Sequence, residues 1–408
     1  MRIIVQKFGG TSVATAEGRK LVADRVERAV KEGFATVVVV SAMGRHGEPY
    51  ATDTLIQLAN AACPELAPRE MDLLLSCGEL ISSVVMAGTL KARGIPCTVL
   101  SGGQAGIRTD DTFGSAHIQK VDPTPMLKRL REGLVVVVAG FQGATEQGEI
   151  TTLGRGGSDT TASAVGGALR AEVVEIYTDV DGVKTADPRL VPDARTLTVT
   201  TYDEIAQMAH YGAKVVHPRA VEIAMQHRVP LRIKSTFHDG PGTLITYSME
   251  AAGTSWSELH VDSPVTGVTH VAGLCQVATG AAPGDGGFRS VFRSLADGGI
   301  SVDLINVSPE QATFCIEERK RERAERLLRE VGVEFAVRPG CAKVSVVGSG
   351  MRGRPGVMAT VVEGLSRAGV GILQTADSHV TISCLVEGHH LQTAVQALHS
   401  AFGLAGEV

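Results

Sequence analysis

The 408-residue chain predicts a largely parallel α/β sheet covered by helices on both faces, followed by two ferredoxin-like βαββαβ units. Three observations carry that expectation. Short β-branched runs alternate with longer helical patterns as far as residue 235. Glycine-containing loops fall at the carboxyl ends of those runs, where open α/β sheets bind their ligands. Beyond residue 265 one helix–turn–strand–strand–helix pattern is present twice.

Strands are expected at 3–8, 36–40, 98–100, 135–139, 173–177 and 231–234, where apolar residues run continuously. Helices are expected between them, at 16–30, 52–61, 69–92, 158–168, 202–209 and 218–227. That alternation argues for a parallel sheet with both faces covered. Around 240–265 the texture changes. Asp239-Gly240-Pro241-Gly242 is a turn cluster, 243–246 a short strand, and 248–264 a polar linker. In the repeat, Ile300 and Val370 occupy equivalent places, 70 residues apart. Each half has a preceding strand, at 275–279 and 342–347, giving βαββα with room for a final strand. The expected division is a catalytic domain at 1–245, a linker at 246–264, and ferredoxin-like domains at 265–338 and 339–408.

Composition narrows the function. A chain of this length exceeds one ordinary core, and 44% hydrophobic with 20% charged residues describes a globular protein. The net charge of −5, with no clustered basic stripe, gives no reason to expect nucleic acid as a partner. The seven cysteines are scattered without a C-x-x-C pair, which fits reduced thiols. Apolar runs such as 134–139 are too short to span a membrane, and the first residues show no cationic-then-apolar leader. A cytoplasmic location is expected. The 12 histidines show no ligand spacing, so no metal site is expected.

The first loop is Lys7-Phe8-Gly9-Gly10-Thr11-Ser12. Paired glycines let main-chain N–H groups approach phosphate oxygens without a Cβ in the way. The amphipathic stretch at 16–30 is expected to aim a helix N-terminus at the same point. Lys7 adds a mobile positive charge. A tight strand–helix turn would use the same residues, so the loop alone leaves both readings open.

In the stretch 151–161, three glycines flank Arg155, and Ser158 and Asp159 are N-cap candidates for the next helix. A guanidinium displayed among glycines suits a bidentate carboxylate or phosphate ligand, with Asp159 in reach of a cationic group. The alternative is a capped helix behind a flexible loop. The turn-rich segment from Tyr177 through Asp181-Gly182 to Arg189 reads as a nucleotide pocket, with Asp179 accepting from ribose or base, or as an Asp-Gly surface turn. Glu79 interrupts an apolar helical pattern beside Gly78, a residue costing about 1 kcal/mol in a helix interior. Either it marks the helix's solvent face, or something approaches the backbone there. Lys214, before His217-Pro218, is a second phosphate-directed lysine. No G-x-x-x-x-G-K-[ST] loop is present.

In order and spacing, 7–12, Ser41-Ala42-Met43-Gly44, Gly78-Glu79, 153–161, 177–189 and 212–219 resemble the aspartate kinase family, within the amino-acid kinase fold. The C-terminal repeat resembles that family's paired ACT regulatory domains. The loop from Arg45 to Asp53, Asn306-Val307-Ser308-Pro309 and 374–379 are similar to the diaminopimelate-sensitive class of Gram-positive spore formers.

The resemblance implies transfer of the γ-phosphoryl of ATP to the β-carboxylate of L-aspartate, a first step toward diaminopimelate, lysine, threonine and methionine. It implies catalytic roles for Lys7, Arg155 and Asp159. ATP would be held by Lys7, Phe8, Gly9, Gly10, Ser41, Ser158, Thr178, Asp179, Lys214 and the segment Lys184, Thr185, Ala186, Asp187, Pro188, Arg189. Aspartate would meet Thr52, Glu79, Arg155, Gly156, Gly157, Ser158 and Asp159. Position 184 is Lys where the family usually has an aromatic residue, and the loop 45–51 is longer than in many members. Mg²⁺ would be held mainly through the nucleotide. An effector amino acid (meso-diaminopimelate, lysine or threonine) would bind at Ser301, Val302, Asp303, Gly371, Ile372, Ala376 and Asp377, in a homodimer or homotetramer assembled through the ACT domains. Another amino-acid kinase of the same fold, or a non-catalytic amino-acid sensor, is the alternative.

Overall fold

The computed structural model describes residues 1–210, 216–247, 264–281, 287–351 and 353–405. They fall into two compact units. The first comprises 1–183, 196–209 and 214–259, and the second 184–195, 210–213 and 260–408.

The first unit is built on a sheet of eight described strands. Their order is β10 (Val199–Thr201), β12 (Thr243–Thr246), β11 (Leu231–Ser235), β9 (Val173–Thr178), β1 (Ile3–Phe8), β2 (Ala35–Val40), β6 (Val135–Ala139) and β3 (Cys97–Leu100). From β11 to β3 every neighbouring pair is parallel; β12 runs antiparallel to β11. The valine runs of β2 and β6 explain why these strands are central. Val37–Val40 and Val136–Ala139 are wholly buried, and each such side chain contributes about 1.5–3 kcal/mol by leaving water.

Sequence periodicity locates seven of these strands to within a residue or so, but it misses β10 and a second sheet. That sheet is β5 (Ile118–Val121), β4 (Ile107–Thr109), β7 (Gln142–Ala144) and β8 (Ile150–Thr152), in that order. The helices are α1 (Gly10–Ala14), α2 (Ala16–Lys31), α3 (Thr52–Ala62), α4 (Pro68–Ala92), α5 (Thr124–Arg131), α6 (Gly157–Leu169), α7 (Tyr202–His210) and α8 (Pro218–His227). Contrary to the expectation that apolar runs are too short, α4 has the length and composition of a membrane-crossing helix. It packs against β2, β3, β6 and β8 and buries Asp72 and Glu79 in the fold, as the core helix of a globular unit does.

In the second unit β13 (Gly267–Gly280), α9 (Gly287–Asp297), β14 (Asp303–Val307), β15 (Gln311–Glu317), α10 (Arg321–Val331) and β16 (Phe335–Val347) form the first half of the repeat. Then come α11 (Val357–Arg367), β17 (Gln374–Asp377), β18 (Thr381–Glu387) and α12 (Leu391–Ala401). The strand order is β14-β15-β13-β16-β18-β17.

Both expected initial strands, 275–279 and 342–347, are the C-terminal parts of much longer ones. The C-terminal part of β13 pairs with β15 and with the start of β16. Its N-terminal part, Gly267–Val271, pairs with Lys343–Val347, which in turn pairs with β18. Each ferredoxin-like half thus takes its last strand from the long strand that opens the other. Gly273 and Gly340, at φ of 71° and 68°, sit where the two long strands pass between halves, and the register slips there. Two cores result. One is around Val277, Val291 and Phe314, the other around Val268, Val344 and Val395. The second also takes in Ala186, Val191 and Ala194, from the segment 184–195.

Candidate active site

The carboxyl ends of β1, β2, β6 and β9 converge on one region of the first unit. Lys7, near the end of β1, places its ammonium 2.7 Å from Asp159 Oδ1, in the first turn of α6. Both side chains are nearly enclosed. Gly9 caps α1, whereas α2 starts afresh behind Thr15, whose hydroxyl accepts from Gly18 N–H at 3.0 Å. The helix following the glycine pair is therefore five-residue α1, not the amphipathic helix expected there. Gly10 is dictated by packing. A Cβ on it would lie 2.7 Å from the Ala42 carbonyl and 2.8 Å from that of Gly44. Phe8 is core, stacked 4.6 Å from Tyr177, so only its main chain is available to a ligand.

Beside this lysine lies a cavity of about 670 Å³. Lys7, Ser41, Thr52, Glu79, Arg155, Gly156, Gly157, Ser158 and Asp159 all line it, so every position implied for the carboxylate substrate is at this wall. Glu79 is 2% exposed. Its Oε1 accepts from Ala42 N–H at 3.0 Å and its Oε2 has no partner. Burial, opposed by those main-chain hydrogen bonds, pushes its carboxyl up to about 8. It does not mark the solvent face of α4. Gly78 admits the loop instead: a Cβ there would come within 2.9 Å of Ala42 Cβ.

Arg155 is exposed and, among the described residues, has no ion pair or side-chain hydrogen bond. Gly154 and Gly156, at φ of 72° and 71°, turn the chain so that it stands out. Gly156 itself caps α6, with Ser158 and Asp159 inside the first turn rather than at the cap. A Cβ on Gly156 would lie 2.1 Å from His217 Cγ, so His217 packs directly against this turn.

Two residues missed in the sequence hold this loop. Arg219 donates to the carbonyls of Leu153 (3.1 Å) and Ala116 (2.9 Å). Asp72, fully buried, accepts from Gly114 N–H (2.9 and 3.0 Å), Thr152 N–H (2.8 Å) and the Thr152 hydroxyl (2.6 Å). A carboxylate one or two turns before Glu79 on the same helix was the available signal.

The residues implied for the nucleotide are less concentrated. Thr178 ends β9 and donates to Asp179 Oδ1 at 3.1 Å. Asp179 pairs at 2.8 Å with Arg45, another residue that sequence reasoning left without a role. Lys184–Arg189 belongs to the second unit. There Thr185 is buried, with its N–H on the Arg195 carbonyl at 2.9 Å and its hydroxyl 2.9 Å from His399 Nε2. Ala186 is core, and Arg189, 2.6 Å from Asp187, holds that carboxyl below the usual range. Lys184 is half-buried, while Pro188 and Arg189 are exposed. Lys214 lies outside the described residues.

Among the described residues no trio of ligating side chains gathers at the cavity. Asp159 is engaged by Lys7 and Asp179 by Arg45, a donor set that fits Mg²⁺ arriving as part of MgATP.

In the second unit, Ser301 and Val302 lead into Asp303 at the start of β14, and Gly371 and Ile372 precede β17, which carries Ala376 and Asp377. The strands meet: Gln374 donates to the Leu304 carbonyl and accepts from Gln276 at 3.0 Å. Asp303 pairs with the buried ammonium of Lys343. Leu304 holds φ at 49°, a left-handed conformation unusual for leucine.

A lysine–glycine cradle at strand ends, beside a cavity that shows a guanidinium and two carboxyls, defines a small-molecule kinase. The amino acid kinase family model matches residues 2–235, and an ACT domain model matches 336–400. The chain is 47% identical over 408 residues to Aspartokinase 1 of Bacillus subtilis (strain 168), covering 99% of this chain and all of that one. The crystal structure of E. coli aspartokinase III in complex with aspartate and ADP (R-state) superposes with a TM-score of 0.77 at 28% identity, covering 98% of this chain and 100% of that chain. The same enzyme in complex with lysine and aspartate (T-state) superposes with a TM-score of 0.76, again at 28% identity, covering 98% and 99%. The chain belongs to the aspartokinases, within the amino acid kinase family.

Proposed function

We propose that this chain transfers the γ-phosphoryl of ATP to the β-carboxylate of L-aspartate, giving 4-phospho-L-aspartate and ADP. The observation that carries the reading is the cavity wall on which Lys7, Glu79, Arg155 and Asp159 meet. Selecting an amino acid requires its α-carboxylate and its ammonium to be read at once. Arg155, unpaired and displayed by glycines, clamps the α-carboxylate, while Glu79 and Asp159 take the ammonium.

The attacking β-carboxylate is already ionised at neutral pH, so no general base is required. What opposes reaction is an anion approaching a polyanion. Lys7, the main-chain N–H groups of Gly9 and Gly10, Ser41 and the N-terminal turn of α6 lower that barrier by fixed charge and dipole. Mg²⁺ would be held mainly through the nucleotide's phosphates, where it would offset part of their charge. Thr178 and Asp179 serve the nucleoside, with Lys214 a second phosphate partner.

Regulation follows from the second unit. An amino-acid effector at 301–303 and 371–377, meso-diaminopimelate or lysine, is the reading favoured by the repeat and by the resemblance of the loops 306–309 and 374–379. Assembly through these same units is part of it, and the seven free cysteines fit a reducing compartment. ADP release measured against a panel of amino acids tests the activity. Aspartate alone should support turnover, and equal rates with glutamate or N-acetylglutamate would refute it. Adding meso-diaminopimelate, lysine and threonine separately tests regulation; indifference to all three would refute that part.

A further inference from the structure

The two halves of the second unit share one turn. After β15, Glu317 has φ −63° and ψ 134°, a 3-10 turn follows over Glu318–Lys320, and Arg321 opens α10 at −53°, −56°. After β18, Glu387 has φ −66° and ψ 136°, a 3-10 turn follows over Gly388–His390, and Leu391 opens α12 at −51°, −53°. The backbone is the same, but the chemistry differs. In the first half Glu317 pairs with Arg319, a permanent cation. In the second the equivalent position is His389, an imidazole rather than a guanidinium, and the next residue is His390 rather than Lys320.

Here the carboxylate has lost its fixed cation and gained two imidazoles. His389 Nε2 stands 3.5 Å from Glu387 Oε2, and the rings of His389 and His390 lie 4.0 Å apart, tilted by 46°. One ligating atom from each residue lies within 4.8 Å of the other two. A tetrahedral ion with bonds of about 2.0–2.1 Å spaces its ligands at about 3.3–3.4 Å. The Glu387–His389 edge, at 3.5 Å, is close to that span, and the three ligating atoms lie within 4.8 Å of one another. The backbone below is held in place. Glu387 pairs with Cys341 on β16, and a Cβ on Gly388 would lie 2.7 Å from the Gly340 carbonyl. The sequence expectation of no metal site passed over this group because its histidines are adjacent, and only the turn brings both rings to the carboxylate.

We propose that Glu387, His389 and His390 form a binding site for a divalent transition metal of the Zn²⁺ class, with water completing the coordination. One carboxylate oxygen and two imidazole nitrogens select Zn²⁺, Co²⁺ or Ni²⁺ over Mg²⁺ or Ca²⁺, which prefer all-oxygen shells. The site belongs to the regulatory unit and is independent of the phosphoryl-transfer reading.

The test uses the chelator-treated, full-length protein. Zn²⁺ is titrated calorimetrically, and Co²⁺ is followed by visible absorption. The expected result is one saturable equivalent, with visible d–d bands and no thiolate charge-transfer band. His389→Ala, and separately Glu387→Gln, should weaken it by at least about tenfold, the loss that even outer-shell changes at metal sites produce. Both variants should keep basal aspartokinase activity, which reports that they are folded. No saturable binding, an isotherm unchanged in His389→Ala, or a thiolate signature from the cysteines would each overturn the proposal.

Discussion

Lys7 and Asp159 lie far apart in the sequence, yet their charged groups meet at 2.7 Å in a nearly enclosed setting. The pair ties the end of β1 to the first turn of α6. Lys7 is thereby aimed across the cavity mouth rather than left to swing in solvent. Asp159→Asn removes the charge that aims it, and one of the two carboxylates assigned to the substrate ammonium. Steady-state kinetics should show a lower kcat together with a higher KM for aspartate, each by about 10- to 100-fold.

Glu79 makes aspartate binding pH-dependent. Its carboxyl sits near 8 because it is buried, so at neutral pH it is largely protonated in the free enzyme. An ammonium is taken only by the ionised form, so KM for aspartate should fall as pH rises toward about 8.5. Glu79→Gln should raise KM about tenfold or more and flatten that slope. Stability has the opposite sign. Between the ordinary value of 4.5 and about 8 the unfolded chain holds fewer protons at this position, so stability declines as pH rises across that window. Thermal melts at two pH values should show the decline shrinking in Glu79→Gln.

Much of this site was legible from residue types alone, because glycines beside single charged residues at strand ends have few structural uses. Lys7, Arg155 and Glu79 were singled out that way, and all three line the cavity. What was not legible depended on distance along the chain. Asp72 reaches Gly114 and Thr152, 42 and 80 residues away, and no local pattern announces that. The β4–β8 sheet escaped because three-residue strands such as Ile107–Thr109 show no period. Gly267–Val271, inside the first expected ferredoxin-like domain, was not expected as a strand, since Thr269 and His270 interrupt the apolar run; its partner is a strand that comes after 340.

Asp72 should matter for the fold before it matters for turnover. Asp72→Ala leaves the N–H groups of Gly114 and Thr152 without their acceptor, at a cost of about 2–4 kcal/mol. Chemical denaturation should show that loss with an unchanged m-value. Asp72→Asn, which keeps an acceptor, should recover part of it.

Gly156 offers a sharper separation of loop geometry from chemistry. With φ at 71° and His217 Cγ only 2.1 Å from where a Cβ would stand, Gly156→Ala is strained and sterically blocked. It should destabilise by about 1–3 kcal/mol and raise KM for aspartate through displaced Arg155, although no reacting group has been changed. Pairing it with His217→Ala should relieve the steric part but not the strain. The double variant should therefore melt above Gly156→Ala and below the parent.

The most direct measurement is single-turnover formation of aspartyl phosphate, trapped with hydroxylamine, in Lys7→Ala and the parent enzyme at saturating MgATP and aspartate. The account predicts a rate about 10²- to 10³-fold lower with little change in ATP affinity, since the ammonium acts on charge that builds up during transfer. A near-parental rate in Lys7→Ala would contradict it.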